Sequence, residues 1–320
     1  ANNRQLDYEL NLERVSYQDY LLKNIALYGQ AENDTLTNTF QQLNDNEELN
    51  YFIEAISYKS NDAVILKFLN DNVILDQQKW KINAKNELIF GQNTEVKNFK
   101  LSHKNETIQI SNPEENPTAL KFDFNGLKLE NLLNLVENTK NDSIELLTGM
   151  LNGTTNIWTK NENFQFEADL QLDSLYFLSQ PAGNLSISAN NASNLIAFSG
   201  AITGYENDVT FEGNYSDSAS PFDFSLNIKK LQLRTLESFS FEQLKESEGY
   251  LSGNVSLKGS AENPVIIGAI KLNNAKLRST YLNSYYTFGN DKITFQKNTL
   301  SFNQFTVKDS TGNSFSIDGN

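Results

Sequence analysis

Hydrophobic and polar residues alternate along much of this chain. Phe164, Phe166, Ala168, Leu170 and Leu172 are separated by Gln165, Glu167, Asp169 and Gln171, and Phe222, Phe224, Leu226 and Ile228 by Asp223, Ser225 and Asn227. The same beat recurs at Leu6/Tyr8/Leu10/Leu12, Leu185/Ile187/Ala189, Val255/Leu257, Ile293/Phe295 and Phe315/Ile317. Residues i and i+2 of a strand share a face, so each run has one apolar and one polar side. Such strands belong to antiparallel sheets with one wetted face. The parity slips between Leu300/Phe302 and Phe305/Val307, which predicts a bulge that re-aims the strand. Turn chemistry at Gly289-Asn290-Asp291 and Lys297-Asn298 punctuates the runs. The fold class expected is all-β.

Three stretches break the beat. Leu129, Leu132, Leu133 and Val136 have helical spacing within residues 128–138, and Leu233, Leu236 and Leu244 within 233–247. These predict short amphipathic helices covering part of the sheet. A third candidate helix spans residues 36–56, where Leu36, Phe40 and Leu43 recur ahead of Leu49, Phe52 and Ile56.

The first two candidates lie at matching points of an internal repeat. Phe122-Asp123-Phe124 recurs as Phe222-Asp223-Phe224, Gly149-Met150-Leu151-Asn152-Gly153 as Gly249-Tyr250-Leu251-Ser252-Gly253, and Leu170/Leu172 as Ile270/Leu272, all at an offset of 100. The offset then grows to 106, where Val209 to Asn214 meets Phe315 to Asn320. A fainter echo is Ile108-Gln109-Ile110, ahead of the first Phe-Asp-Phe. The division expected is a divergent repeat over 1–112, a second over 113–214 and a third over 215–320, in one elongated domain. Units with one apolar face hide it by stacking. The last copy stops at Gly319-Asn320, from which we expect the chain to be a piece of a longer protein.

Composition narrows the chemistry. Acidic residues outnumber basic ones 40 to 26, for a net charge of −14 and a pI near 4.6. That balance argues against nucleic acid, whose binding rests on Lys and Arg. Hydrophobic residues are 38%, low for a thick globule, while 11% aromatics is too many for a disordered chain. No run of about 18 apolar residues exists to span a membrane as a helix. Residues 1–10 carry no basic-then-apolar leader. There is no Cys, so disulfides, thiolates and Cys-ligated zinc are excluded. His103, the only histidine, sits in the polar segment Ser102-His103-Lys104-Asn105, which reads as an exposed loop or strand edge. Asp45-Asn46-Glu47-Glu48 lacks the ordered spacing of a calcium loop and reads as a solvated loop. No carboxylate pair stands out for glycoside hydrolysis. No catalytic site, metal or cofactor is expected. About one residue in seven is Asn, which we read as a composition bias of the genome.

The third repeat carries a more specific pattern: Gly249-Tyr250-Leu251-Ser252-Gly253, then Gly259, Pro264 and Gly268, then a strand ending in Asn274-Ala275. It resembles the repeat of the TamB family. Trp80-Lys81-Ile82, Val96 to Leu101 and Ile108 to Ile110 resemble a second element of that family. The copy at Gly149 lacks the Gly-to-Pro element, and the first seventy residues match weakly. The resemblance implies a Gram-negative envelope protein, anchored in the inner membrane and crossing the periplasm. It is similar to AsmA-like and bridge-like lipid-transfer proteins, whose sheet curls lengthwise into an apolar trough, the β-taco. The implied partners are phospholipid acyl chains and an Omp85-class outer-membrane barrel, the anchor and barrel contact lying outside this chain. The implied roles are phospholipid transport and assembly of outer-membrane proteins.

With the parity above, the expected lining is Phe164, Phe166, Leu170, Leu172, Ile187, Phe211, Phe222, Phe224, Val255, Leu257, Ile270, Leu272 and Phe295. The competing expectation is a surface adhesin or structural β-solenoid that binds glycan or protein through its polar face. For that reading Tyr285-Tyr286 is the exposed-aromatic candidate, since adjacent strand residues face opposite ways. A sheet edge that accepts an incoming strand, as a chaperone would, is a third.

Overall fold

The computed structural model describes residues 5–17, 20–69, 73–131, 147–178, 180–192, 195–216, 218, 221–240, 242–297 and 299–320. Over these residues the chain is nearly all strand, and every described pairing is antiparallel. It divides into two compact units, one of Ala1–Ser143 with Leu151–Gln165, the other of Ile144–Met150 with Phe166–Asn320.

In the first unit, β1 (Gln5–Tyr17), β2 (Tyr20–Glu32), β3 (Thr35–Leu43) and β4 (Leu49–Ser60) form a meander. At β4 the ladder forks. Its C-terminal half pairs with β5 (Ala63–Phe68), which leads to β8 (Glu87–Phe90) and β9 (Thr94–Lys97). Its N-terminal half meets β6 (Val73–Leu75), which leads through β7 (Gln78–Ile82) and β10 (Phe99–His103) to β11 (Glu106–Ser111) and β12 (Leu120–Lys128). Val73, Trp80, Ile82, Phe99 and Leu127 are buried along the second arm, and Phe99 meets Phe68 of the first edge to face at 5.5 Å. Asn86 is almost fully buried. Its Oδ1 accepts the N–H of Phe68 at 2.8 Å, and its Nδ2 donates to the carbonyls of Phe68 and Asn83. This satisfies backbone groups stranded where the arms diverge.

The candidate helix at 36–56 is corrected by β3 and β4, which pair from Thr35↔Tyr58 to Leu43↔Leu49. A spacing of four keeps Leu36 and Phe40 on one face of a helix or of a strand, so it does not discriminate between them. Thr35, Thr37 and Thr39 tip the balance, because β-branched residues favour strands. The Asn44 side chain then closes the hairpin, its Oδ1 accepting the N–H groups of Asn46 and Glu48, both at 2.9 Å.

β13 (Leu147–Lys160) and β14 (Asn163–Phe177) carry the chain into the second unit, which continues as β15 (Gln180–Ala192), β16 (Leu195–Gly204), β17 (Asn207–Ser216) and β18 (Phe222–Gln232). β19 (Leu244–Gly259) and β20 (Pro264–Ser279) follow. β20 then pairs with two short strands, β21 (Ser284–Phe288) and β22 (Lys292–Lys297), and both pair with β23 (Thr299–Asp309). β24 (Ser314–Gly319) completes the ladder. Two-residue turns with both φ values positive join β13 to β14 at Asn161-Glu162 and β16 to β17 at Tyr205-Glu206, the hairpin type that matches strand twist.

The predicted bulge in β23 is present. The register shifts between Phe302 and Phe305, Gln304 takes φ +48°, and Phe305 and Val307 turn into the core. The turn at 289–291 separates β21 from β22. Lys297 has φ +56°, while Asn298 lies outside the described residues.

The helix predicted over 233–247 is shorter: one helical turn at Leu233–Leu236 and a 3-10 turn at Glu237–Ser240. Ser240 ends it, its hydroxyl donating to the Glu237 carbonyl at 2.6 Å and accepting the Leu244 N–H at 3.0 Å, after which β19 begins. Of the stretch predicted at 128–138, residues 129–131 are helical and 132–138 lie outside the described residues.

The sequence repeat is a repeat of strands. Phe122/Phe124 and Phe222/Phe224 lie in β12 and β18, the Gly-x-Leu-x-Gly segments in β13 and β19, and Leu170/Leu172 and Ile270/Leu272 in β14 and β20, each six strands apart. The final echo falls on β17 and β24, seven apart, because the place of β15 is taken by β21 and β22 together. The break between those two strands accompanies the growth in offset.

Candidate functional site

The register of the second unit sets the apolar runs side by side. Leu170 stands opposite Ile187, Ile187 opposite Gly200, Gly200 opposite Phe211, and Phe211 opposite Leu226. The row continues through Val255 and Gly268 to Phe295. A second row runs from Leu172 through Leu185, Ile202, Val209 and Ile228 to Gly253 and Ile270. A third passes from Ala189 through Phe198, Gly213, Phe224 and Leu257 to Ile266. Tyr215 and Phe222 form the next step out, their rings 5.4 Å apart.

Twelve of the thirteen expected lining residues belong to this face, with Phe166 and Leu272 joining it as further members of their alternating runs in β14 and β20. Phe164, 59% exposed, falls in the first unit. Leu185, Phe198, Ile202, Leu226 and Ile293 share the face outside the expected lining, Leu185 and Ile293 as members of the alternating runs at 185–189 and 293–295. The alternation 222–228 already marked Leu226. Phe198 carries no clear parity signal in the sequence, because Leu195, Ile196 and Ala197 precede it and blur the alternation of β16.

The face is graded along its strands. At one end Val209, Ile228 and Leu272 are buried. There Leu233 of the helical turn packs with Leu272, Ala275, Phe305 and Val307 into an enclosed core, flanked by Leu236, Leu251, Tyr286 and Phe302. Leu272 is thus part of the core. Away from that end Phe211, Phe222, Phe224, Leu226, Val255 and Leu257 are only half-buried. Along the three rows the one charged position among the described residues is Lys297, opposite Ile266.

The opposite side of the same strands is short and polar. Ser188 donates to Asp169 at 2.5 Å, and Lys258 pairs with Asp223 at 3.0 Å. Lys230 bonds Glu206 at 2.6 Å and holds that carboxyl below its usual range. A shallow cleft of about 500 Å³ on this side is lined by Ser188, Ser199, Glu212, Asn214, Asp223 and Ser225. Tyr286 packs on the core, while Tyr285 faces the polar side, as adjacent strand residues must. Tyr285 hydrogen-bonds Glu246, which also takes Arg278 Nη1 at 2.7 Å, and Lys276 Nζ lies 5.1 Å from its ring centre. Hydrogen bonds from Tyr285 and Arg278 depress the Glu246 carboxyl.

His103 ends β10 half-buried, with Nδ1 2.7 Å from the carbonyl oxygen of Lys79 and its ring 5.5 Å from Trp80. A carbonyl only accepts, so Nδ1 carries the proton there. Among the described residues no group of three or more His, Asp or Glu is placed to hold a metal ion. No described helix is long and apolar enough to cross a membrane.

Compared with protein-family models, with curated proteins and with solved structures, the chain matches none of them.

Proposed function

We propose that this chain is a segment of a TamB-like envelope protein that carries phospholipid acyl chains on its apolar face, as part of lipid movement or outer-membrane protein assembly between two membranes. The observation that supports this is a run of apolar rows across successive strands whose outer parts are only half-buried and carry no charge before Lys297. Ordinary core residues of a domain are enclosed on all sides. Half-exposed Phe222, Phe224, Leu226, Val255 and Leu257 leave apolar area that an aliphatic ligand gains by covering.

Removing an acyl chain from water is worth about 0.8 kcal/mol per CH₂. An apolar face therefore lowers most of the barrier to moving a bare tail through an aqueous compartment. It offers the tail about what a bilayer offers, so net binding is small and the lipid exchanges between neighbouring rows. Head groups remain in water, and no charged clamp is required. Binding of glycan through the polar face is less well supported, because Tyr285, its aromatic candidate, is engaged by Glu246, Arg278 and Lys276.

Native mass spectrometry of the purified chain, with organic extraction and lipid analysis, tests the reading. Co-purifying phospholipid, lost when Phe166, Phe222 and Phe224 are changed to Glu in a protein that keeps its β-sheet circular dichroism, supports it. A monodisperse protein free of lipid, which also takes none from phosphatidylcholine vesicles, rejects it and directs the search to glycan and partner screens.

A further inference from the structure

The centre of the apolar face in the second unit is built differently from its flanks. On β17, Gly213 stands between Phe198 of β16 and Phe224 of β18. The two rings are 6.0 Å apart with an interplanar angle of 28°, so they stack across the glycine. A Cβ at Gly213 would lie 2.8 Å from Phe198 Cζ. Two residues earlier on the same strand, Phe211 stands opposite Gly200 of β16, where a Cβ would lie 2.5 Å from Phe211 Cζ. Phe211 in turn is 6.4 Å from Phe224. The rings of Phe198 and Phe211 thus fill the space that side chains at Gly213 and Gly200 would take, lying over neighbouring backbone in the manner of aromatic rescue, and the Phe224 ring packs near both.

Across the strands the flanks, Ile187 on one side and Leu226, Val255 and Leu257 on the other, are aliphatic and branched, whereas along β17 and β18 the next step is the aromatic pair Tyr215 and Phe222. Rings that lie down replace branched knobs with ring faces, which favour close contact with a straight methylene chain. The glycine-flanked Phe211 occupies the middle of a longer uncharged row that runs from Leu170 to Phe295. None of these positions is charged, so the occupant is uncharged where it touches them.

Resting on the lipid reading above, we infer that Phe198, Phe211 and Phe224 form a discrete seat for one acyl chain laid across β15 to β18, with Phe198 a lining residue that strand parity in the sequence did not single out. The other apolar positions act as a less selective surface from which chains pass to the seat.

Phosphatidylcholine with a diazirine at the end of one acyl chain tests this. It is loaded onto the purified chain, photolysed, and the adducts are mapped by peptide mass spectrometry. The expected result is labelling concentrated on peptides containing Phe198, Phe211 and Phe224. In Phe198→Ala, capture weakens roughly tenfold, the effect of about 1.4 kcal/mol of lost contact. Phe198→Leu keeps the strand apolar and folded, and shifts labelling away from Phe211 and Phe224 towards Val255 and Leu257. Labelling spread evenly over the rows, or unchanged in Phe198→Leu while lipid is bound, overturns the seat and leaves the lipid reading standing. Failure of the unaltered chain to take up the probe at all overturns both.

Discussion

Asn207 and Gln232 are joined by a 2.8 Å hydrogen bond, in which the Asn207 side-chain oxygen accepts the N–H of Gln232 just before the helical turn at Leu233–Leu236. Asn207 is buried, and its Nδ2 also donates to the Ala182 carbonyl and the Thr235 hydroxyl, each at 3.1 Å. One copy of the repeat earlier, buried Glu106 does the same work. Its Oε2 accepts the N–H of Lys128 at 3.1 Å and the Asn131 amide at 3.0 Å, where the chain turns helical after β12. Both residues open the strand preceding the capped one, β17 and β11. The clasp satisfies donors that a helix start leaves without partners.

Replacing Asn207 by Ala strands the Gln232 N–H and the Ala182 carbonyl in a buried site, at a cost of about 1–3 kcal/mol. Urea denaturation is expected to show that loss, and hydrogen exchange to show faster opening confined to residues 232–240. Asn207→Asp keeps the accepting oxygen but has no amide to donate, so it is expected to fall short of rescue. Wild-type stability in that variant would show the Nδ2 bonds to contribute nothing.

Glu106 needs only its accepting oxygen. Glu106→Gln is therefore expected to stay close to wild type, while Glu106→Ala loses about 1–3 kcal/mol by leaving the Lys128 N–H without its acceptor. Thermal unfolding of the two variants side by side checks the order. If they melt together, the carboxylate has a role beyond accepting these bonds.

Gly253 lies at φ +145°, and a Cβ there would fall 2.0 Å from the Ala269 carbonyl oxygen. Gly312 lies at φ +89° with nothing within 4 Å of its Cβ position. Gly312→Ala is expected to cost about 1 kcal/mol, for backbone strain alone. Gly253→Ala adds a clash with backbone in β20 and is expected to cost clearly more, or to abolish folding. Equal melting temperatures for the two variants would contradict the close strand approach at Gly253.

Acid should weaken the polar side of β19 to β21. Glu246 has its carboxyl depressed from 4.5 by Tyr285 and Arg278, so the linked stability is present above that value and disappears as pH falls through the lower folded value. The groups are exposed, so the effect is small and screened by salt. In Glu246→Gln the decline in melting temperature below about pH 4.5 is expected to be shallower than in the unaltered chain. Identical acid limbs would mean that the Glu246 contacts are not held in solution.

Alternation alone determined the strand content, the antiparallel class and the face on which each apolar run lies, because side chains in a strand strictly alternate sides. It also located the bulge in β23, since a bulge is a slip of that parity, and it sent Tyr285 and Tyr286 to opposite sides. The hundred-residue echo located equivalent strands, whatever their partners. Other features needed the tertiary structure. Helical spacing at 36–56 belongs to a hairpin, because a four-residue step has the same face in either element and pairing with β4 decides. The enclosed end of the apolar face depends on Leu233, Phe305 and Val307 arriving from distant segments. Asn richness, which as composition carries no chemistry, includes buried clasps at Asn86 and Asn207, visible only once the backbone groups they satisfy are in place. Phe198 joins Phe211 and Phe224 only through the register across Gly213. Local order follows from short-range sterics written in the sequence, whereas burial and ring packing depend on which strands become neighbours.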